Sequence, residues 1–249
     1  MQDGRRRPEG DLDQLAPEVF RPTMPEPNAP PPDPNGFIRS NTRLLTPPLV
    51  PEVRLHLAEE SLPIWHKTEE ELGESGLPPP YWAFAWAGGQ ALARYLLDNA
   101  SLVAGRTILD IGSGSGLVAI AAVIAGARHA VANDIDAFAL AACRLNAAEN
   151  DVAIELSGVD LLQAAATSPP PPCDVLVLAD LFYEKPLAAA ALDLATRAVR
   201  AGTTVLVGDP CRSHFPADRF SRLVTYNVPV TRELEDSEIK ATSVWKLAA

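Results

Sequence analysis

The chain has 249 residues, 47% hydrophobic and 21% charged, enough apolar material for one or two domains with a sizeable core. Lysine and arginine number 21 against 32 aspartates and glutamates, and the resulting formal charge of −11 opposes approach to a phosphate backbone, arguing against general nucleic-acid binding. No run approaches the roughly 18 apolar residues of a membrane span, and Cys143, Cys173 and Cys211, scattered and without a CxxC pair, argue against a disulfide framework or a zinc site and fit a reducing compartment.

Half of the 24 prolines lie at or before Pro51. Met1 to Gly36 therefore reads as a disordered leader, because proline lacks a backbone donor and fixes φ. It has no apolar h-region, and Asp3, Glu9, Asp11 and Asp13 with a lack of serine argue against a mitochondrial presequence. A single domain is expected over 37–249, with 37–100 as its N-terminal extension. Val53, Leu55 and Leu57 alternate with Arg54 and His56, the period of a half-buried strand. A polar helix is expected at Ile64–Leu72. The aromatic run Tyr81-Trp82-Ala83-Phe84-Ala85-Trp86 follows, and Gly88-Gly89-Gln90 opens a helix to about Asp98.

From Thr107 onward short apolar runs alternate with alanine-rich helices. Strands are expected at Thr107–Asp110, Ala130–Asn133, Ile154–Leu156, Val175–Ala179 and Thr203–Val207, and helices at Leu117–Ala125, Ala137–Asn150 and Pro186–Arg200. Such alternation predicts an α/β, doubly wound, mostly parallel sheet. Leu223–Val230 and Thr242–Leu247 lie too close for a full crossover, so a terminal antiparallel hairpin is expected at the sheet edge, making seven strands. Ser168 to Pro172 reads as a solvent loop.

Asp110-Ile111-Gly112-Ser113-Gly114-Ser115-Gly116 links a strand to a helix, the place where α/β sheets bind ligands. The dinucleotide fingerprint needs a glycine where Leu117 stands. A carboxylate at Asp110 repels a pyrophosphate but suits the ammonium of S-adenosylmethionine, and Gly112, Gly114 and Gly116 let backbone approach that ligand. Asp134, 24 residues beyond Asp110, is placed to accept from ribose hydroxyls. Asp160 is placed to accept from an adenine amino group, with Leu161 and Trp86 sandwiching the ring. Taken singly, Asp134 reads equally as a helix cap and Trp86 as a core residue. The ordered series of acids, each at a strand end, points to a nucleoside-type cofactor.

The fourth strand ends in Asp180-Leu181-Phe182-Tyr183. Enzymes that methylate exocyclic amines of bases carry a proline-proline-aromatic run there, and Leu181-Phe182 replaces it. Asp180 and Tyr183 offer a carboxylate and a phenol suited to a cationic amine, with Asp180 assigned orientation first; on spacing alone they also fit a turn with a half-buried tyrosine. Gly208-Asp209-Pro210, with Arg212 behind it, reads as a pocket wall or as a simple turn. His214 reads as a surface residue and Cys143 as packing, and no metal site is expected.

The segments from Tyr81 to Gln90, Ile108 to Gly116, Ala132 to Asp136, Ala179 to Tyr183 and Gly208 to Pro210 together resemble the seven-β-strand methyltransferases, specifically the lysine methyltransferases of the electron transfer flavoprotein β subunit. The resemblance covers about Phe37 to the C-terminus. It implies a class I, Rossmann-like sheet with a reversed last strand and S-adenosylmethionine as donor. It implies cofactor roles at Trp86, Asp110, Gly112, Gly114, Asp134 and Asp160, acceptor roles at Asp180 and Tyr183, and that flavoprotein subunit as protein substrate. Glycine is usual in the family where this chain has Cys211, a departure at the pocket wall. A monomer is expected, in a bacterial cytoplasm or, in a eukaryote, the mitochondrial matrix. Ribosomal-protein methyltransferases share much of the pattern. A small-molecule N-methyltransferase and a non-enzymatic nucleoside-binding module are the competing classes.

Overall fold

A computed structural model of the chain describes residues 33–59, 64, 79–164, 169–231 and 237–248. Nearly all of the expected leader, and all but Ile64 of the helix expected at Ile64–Leu72, lie outside the described residues. Helix α1 spans Pro34–Asn41 and so begins ahead of the boundary expected after Gly36. Proline is tolerated there because it occupies the first turn, where its missing N–H has no partner to lose, and Asp33 caps it by accepting from Gly36 N–H at 3.0 Å. Strand β1, Arg43–Leu45, pairs antiparallel with β2, Leu55–Leu57. Only β2 was legible, since β1 has no alternating burial.

The main sheet has seven strands in the order β5-β4-β3-β6-β7-β9-β8. These are β3 Thr107–Ile111, β4 His129–Asn133, β5 Glu155–Ser157, β6 Val175–Ala179, β7 Thr204–Asp209, β8 Phe220–Pro229 and β9 Ile239–Leu247. The first five run parallel. β9 lies antiparallel against β7, and β8 pairs with β9. The helices are α2 Ala87–Asp98, α3 Leu117–Ile124, α4 Ala137–Glu149, α5 Leu161–Ala164 and α6 Lys185–Arg200. The fold is thus the expected class I arrangement, an α/β sheet with its last strand reversed.

Strands β3, β6 and β7 are buried on both faces, as parallel strands covered by helices must be. Ile108, Val177 and Leu206 pack toward α2 and α3, whereas Leu109, Leu176 and Val207 pack toward α6. The chain runs from β3 to β4 and β5 on one side and to β6 and β7 on the other. The reversal between β3 and β6 opens a crevice at their carboxyl ends.

Two features bring further elements onto that crevice. Gly88 of α2 and Gly208 of β7 meet so closely that a methyl group on either would overlap the other's carbonyl oxygen. Only glycine permits this approach. On the other flank, Asn146 of α4 is fully buried. Its Oδ1 accepts from His56 N–H at 2.7 Å and its Nδ2 donates to Ser115 O at 2.8 Å, tying the β1–β2 hairpin to the glycine turn. Asn146→Ala should strand the His56 donor and the Ser115 acceptor, lowering stability by about 1–3 kcal/mol. Urea denaturation measures the loss, and an unchanged midpoint contradicts the assignment.

Candidate active site

The glycine turn is shaped by three left-handed glycines, Gly112, Gly114 and Gly116, with φ of 64°, 52° and 80°. A Cβ on Gly112 would stand 2.7 Å from Leu181 Cδ2, and one on Gly116 3.0 Å from Cys143 Sγ. The turn is therefore clamped by Leu181 from one side and α4 from the other. Cys143 also donates to Gly114 O at 3.4 Å, so this packing residue touches the turn itself.

The three acids of the expected cofactor site, and Asp136 beside them, divide by burial. Asp110 is 1% exposed, and its Oδ2 accepts from Ala119 N–H in the first turn of α3 at 3.1 Å. It lies beneath the turn and ties it to the start of α3. Asp134, half-buried at the end of β4, accepts from Gly114 N–H at 2.9 Å and from Asp136 N–H at 3.0 Å. It does not cap α4. That role belongs to Asp136, which accepts from Phe138 N–H at 2.8 Å. Asp160 does act as a cap, accepting from Gln163 N–H at 2.9 Å.

Trp86 and Leu161 do not come together among the described residues. Trp86 packs with the cluster of Trp82, Phe84 and Phe138, whereas Leu161 joins the cluster on the α6 face. Trp86 also borders the acceptor end, where Arg212 lies over its ring. A further apolar pair borders the acids. Ile135, 71% exposed, follows Asp134, and exposed Val159 precedes Asp160. Asn133 holds these two strand ends in register, donating through Nδ2 to Ser157 O and Val159 O, both at 2.9 Å. Neither Ile135 nor Asn133 was singled out from the sequence, although both sit inside the Ala132–Asp136 motif.

At the acceptor end Asp180 is 8% exposed and adopts a left-handed φ of 57°. Its Oδ2 accepts from Gly89 N–H at 3.0 Å. Its Oδ1 accepts from Arg212 Nε at 2.9 Å and Nη2 at 2.6 Å. The guanidinium carbon lies 5.6 Å from the centre of the Trp86 ring. Tyr81 stands 6.1 Å from Trp86 and 6.0 Å from Tyr183 between ring centres, and Tyr183 is 38% exposed. Phe182 between them points into the core against Phe215. Gln90 completes the Trp86–Gln90 motif structurally, donating to Ala85 O at 2.7 Å and accepting from Leu49 N–H at 3.2 Å. Arg212 is the residue whose partnership with Asp180 sequence reasoning missed, because 32 residues separate them.

The residues fit S-adenosylmethionine on this geometry. Beside the turn, Asp134 holds Gly114 N–H and Asp136 follows it, and negative charge there opposes a phosphate and favours a ligand with ammonium and sulfonium groups. Asp134, Asp160 and exposed Ile135 lie at adjacent strand ends, suiting a ribose and a flat heterocycle. Among the described residues no group of three or more His, Cys, Asp or Glu gathers as a metal site, and no helix is long and apolar enough to cross a membrane.

The family model described as ribosomal protein L11 methyltransferase (PrmA) matches residues 91–207. The electron transfer flavoprotein beta subunit lysine methyltransferase of Xenopus laevis is 37% identical over 218 residues, covering 85% of this chain and 86% of that protein. The human protein of the same name is 34% identical over 224 residues, covering 86% and 82%. A ribosomal protein L11 methyltransferase of Chromohalobacter salexigens is 46% identical, but over only 96 residues, 38% of this chain and 32% of that protein.

Burial controls the site's ionisation. It pushes the Asp110 carboxyl up to about 8, against the Ala119 N–H that favours the charged form. It raises Asp209 to about 7 and Asp136 to about 6. Groups raised on folding bind protons that the unfolded chain releases. Their contribution is therefore full below the ordinary carboxylate range and is lost as pH rises through 6 to 8. The thermal midpoint should fall between pH 6 and 8.5, and Asp110→Asn should flatten that fall; a midpoint rising over this range contradicts it. Cys211 carries a left-handed φ of 64°, a conformation that glycine adopts without the Cβ strain. Cys211→Gly should raise stability by up to about 1 kcal/mol, read from urea denaturation.

Proposed function

The chain belongs to the electron transfer flavoprotein β-subunit lysine methyltransferases, and we propose that it transfers methyl groups from S-adenosylmethionine to lysine side chains of that flavoprotein subunit. The observation carrying this is the joining of an acid-lined glycine turn to a mouth built from Asp180, Tyr183, Tyr81 and Trp86. Similarity over about 85% of the chain to the flavoprotein-directed enzymes supports the substrate, whereas the ribosomal-protein relatives share about a third of their length with this chain. The formal charge of −11 supports a protein over a nucleic-acid substrate. The chain's free thiols support a reducing compartment such as a bacterial cytoplasm.

When bound, S-adenosylmethionine supplies an electrophilic methyl on a sulfonium. In this assignment Gly112, Gly114 and Gly116 admit its methionine part, with Asp110 shaping the turn from below. Asp134 accepts from the ribose hydroxyls, and Asp160 with Leu161 and Ile135 borders the adenine. At the acceptor end, lysine is protonated at neutral pH. From a reference pKa of about 10.4, its neutralisation at pH 7 costs roughly 4.6 kcal/mol. Desolvation beside the tyrosine rings favours the neutral amine. Asp180 accepts an N–H of that amine and aims its lone pair, so positioning and electrostatics carry the rate. Tyr183, pushed up to about 12 chiefly by burial, stays protonated and donates or stacks without acting as a base.

Mass spectrometry of the flavoprotein β subunit, before and after incubation with enzyme and donor, tests the substrate. Added mass in 14-Da steps on lysine is expected; label confined to small molecules in a lysate instead supports the small-molecule reading, and donor binding without transfer the regulatory one. Asp180→Ala should abolish turnover while calorimetry finds adenosylhomocysteine affinity nearly intact. Asp134→Ala should do the reverse first, weakening that affinity at least tenfold, about 1.4 kcal/mol for a hydrogen bond to a charged group.

A further inference from the structure

The acceptor mouth carries a cation of its own. Arg212 gives two hydrogen bonds to one oxygen of Asp180, and its guanidinium covers the indole of Trp86. Its backbone is fixed as well, since Arg212 N–H donates to Asp209 Oδ1 at 2.7 Å. Asp180 is fixed from the other side by Gly89 N–H. This arginine is therefore bound at both ends in a set geometry.

That geometry has a chemical consequence. A lone carboxylate beside a lysine raises the lysine pKa and holds it as ammonium, whose nitrogen has no lone pair to attack a methyl group. An open indole face also favours the cation. Here the carboxylate is already matched by a guanidinium that cannot lose its proton, and the indole face is already covered.

Resting on the lysine-methyltransferase reading above, we propose that Arg212 is a positioning residue that pairs with Asp180, so that the carboxylate serves a neutral lysine amine as a hydrogen-bond acceptor and not as the counterion of an ammonium. The target's extra proton leaves to solvent before transfer. The nitrogen lone pair then forms the N–C bond, the C–S pair remains on sulfur, and the new secondary ammonium releases a proton afterwards.

Other titratable groups face this corner. Tyr183 and Glu184 follow β6, Asp209 ends β7 and Cys211 follows it, Arg222 of β8 acts on Cys211, Tyr81 precedes α2, and Asp134 follows β4. Asp209 is fully buried, with Oδ2 lacking a hydrogen-bond partner, and its carboxyl is raised to about 7. The informative pH range therefore lies above it, from 8 to 10.5.

The test is the pH dependence of kcat at saturating flavoprotein β subunit, which reports the ionisation of the bound lysine, for wild type, Arg212→Gln and Arg212→Lys. The acid limb of Arg212→Gln should move up by about one unit or more. Its rate on that limb then falls about tenfold per unit, while the high-pH plateaus converge. Arg212→Lys, which keeps the charge, should retain the wild-type limb. A uniform slowing of Arg212→Gln at every pH, or an Arg212→Lys limb displaced like that of Arg212→Gln, overturns the proposal. Should Arg212→Gln not fold, wild-type enzyme with adenosylhomocysteine decides at pH 7.5. A subunit whose methylated lysine is replaced by methionine should bind at least as tightly as the lysine form, and tenfold weaker binding overturns the proposal. Wild-type enzyme that methylates no lysine of the subunit fails the functional reading itself, and this inference with it.

Discussion

Three stretches of chain meet at the carboxylate of Asp180. The backbone of β6 ends there in a left-handed turn, the N-terminus of α2 reaches it through Gly89 N–H, and the segment after β7 reaches it through Arg212. None of these contacts forms unless α2 lies directly on β7, and that approach requires glycine at both Gly88 and Gly208. The Trp86–Gln90 motif, the Asp180–Tyr183 motif and the segment from Gly208 to Arg212 are therefore parts of one device. Its burial makes the polar contacts obligatory, because removing any partner leaves a charged or hydrogen-bonding group stranded in a poorly solvated corner.

The donor end follows a different economy of charge. Four aspartates surround the glycine turn, but depth divides their work. Asp110 is sealed under the turn and organises the start of α3, Asp136 caps α4, and only Asp134 and Asp160 stand at the rim. A single acidic pattern in the sequence thus contains both buried scaffold groups and groups at the rim of the crevice. Burial also keeps Asp110 near neutrality, its carboxyl raised to about 8, so the sheet centre does not carry the full charge that its composition suggests.

Most of the fold was legible because its signals are local. Val175–Ala179 was read at its true limits, and the other main-sheet strands within a few residues, since buried parallel strands leave uninterrupted apolar runs. Strand β1 was missed because Arg43–Leu45 is mostly exposed, and α1 because a proline-rich context masked a cap-and-proline helix start. The site was legible as a set of residues but less so as a geometry. Trp86 was read as an adenine contact because tryptophan suits flat rings, and its pairing with Arg212 at the acceptor mouth left no mark in the sequence. Arg212 itself gave no local signal. Its role follows from the turn after β7, where left-handed Cys211 directs the chain back toward β6, and such long-range pairing has no periodicity to detect.

The two ends of the crevice answer one electrostatic difficulty. A sulfonium and a lysine ammonium are both cations, and bringing them within about 4 Å costs roughly 4 kcal/mol at the effective dielectric of a protein surface. Negative charge placed between them would ease that repulsion but would also hold the lysine in its unreactive protonated form. The chain separates the two demands in space. Its acids gather around the turn that receives the donor, where permanent positive charge needs company. At the mouth, Asp180 is matched by Arg212, so the approaching amine meets aromatic rings and a hydrogen-bond acceptor with no net charge to keep its proton in place. The sulfonium then repels that proton instead of sharing a counterion with it, and the same repulsion that opposes binding of the ammonium favours the form that reacts.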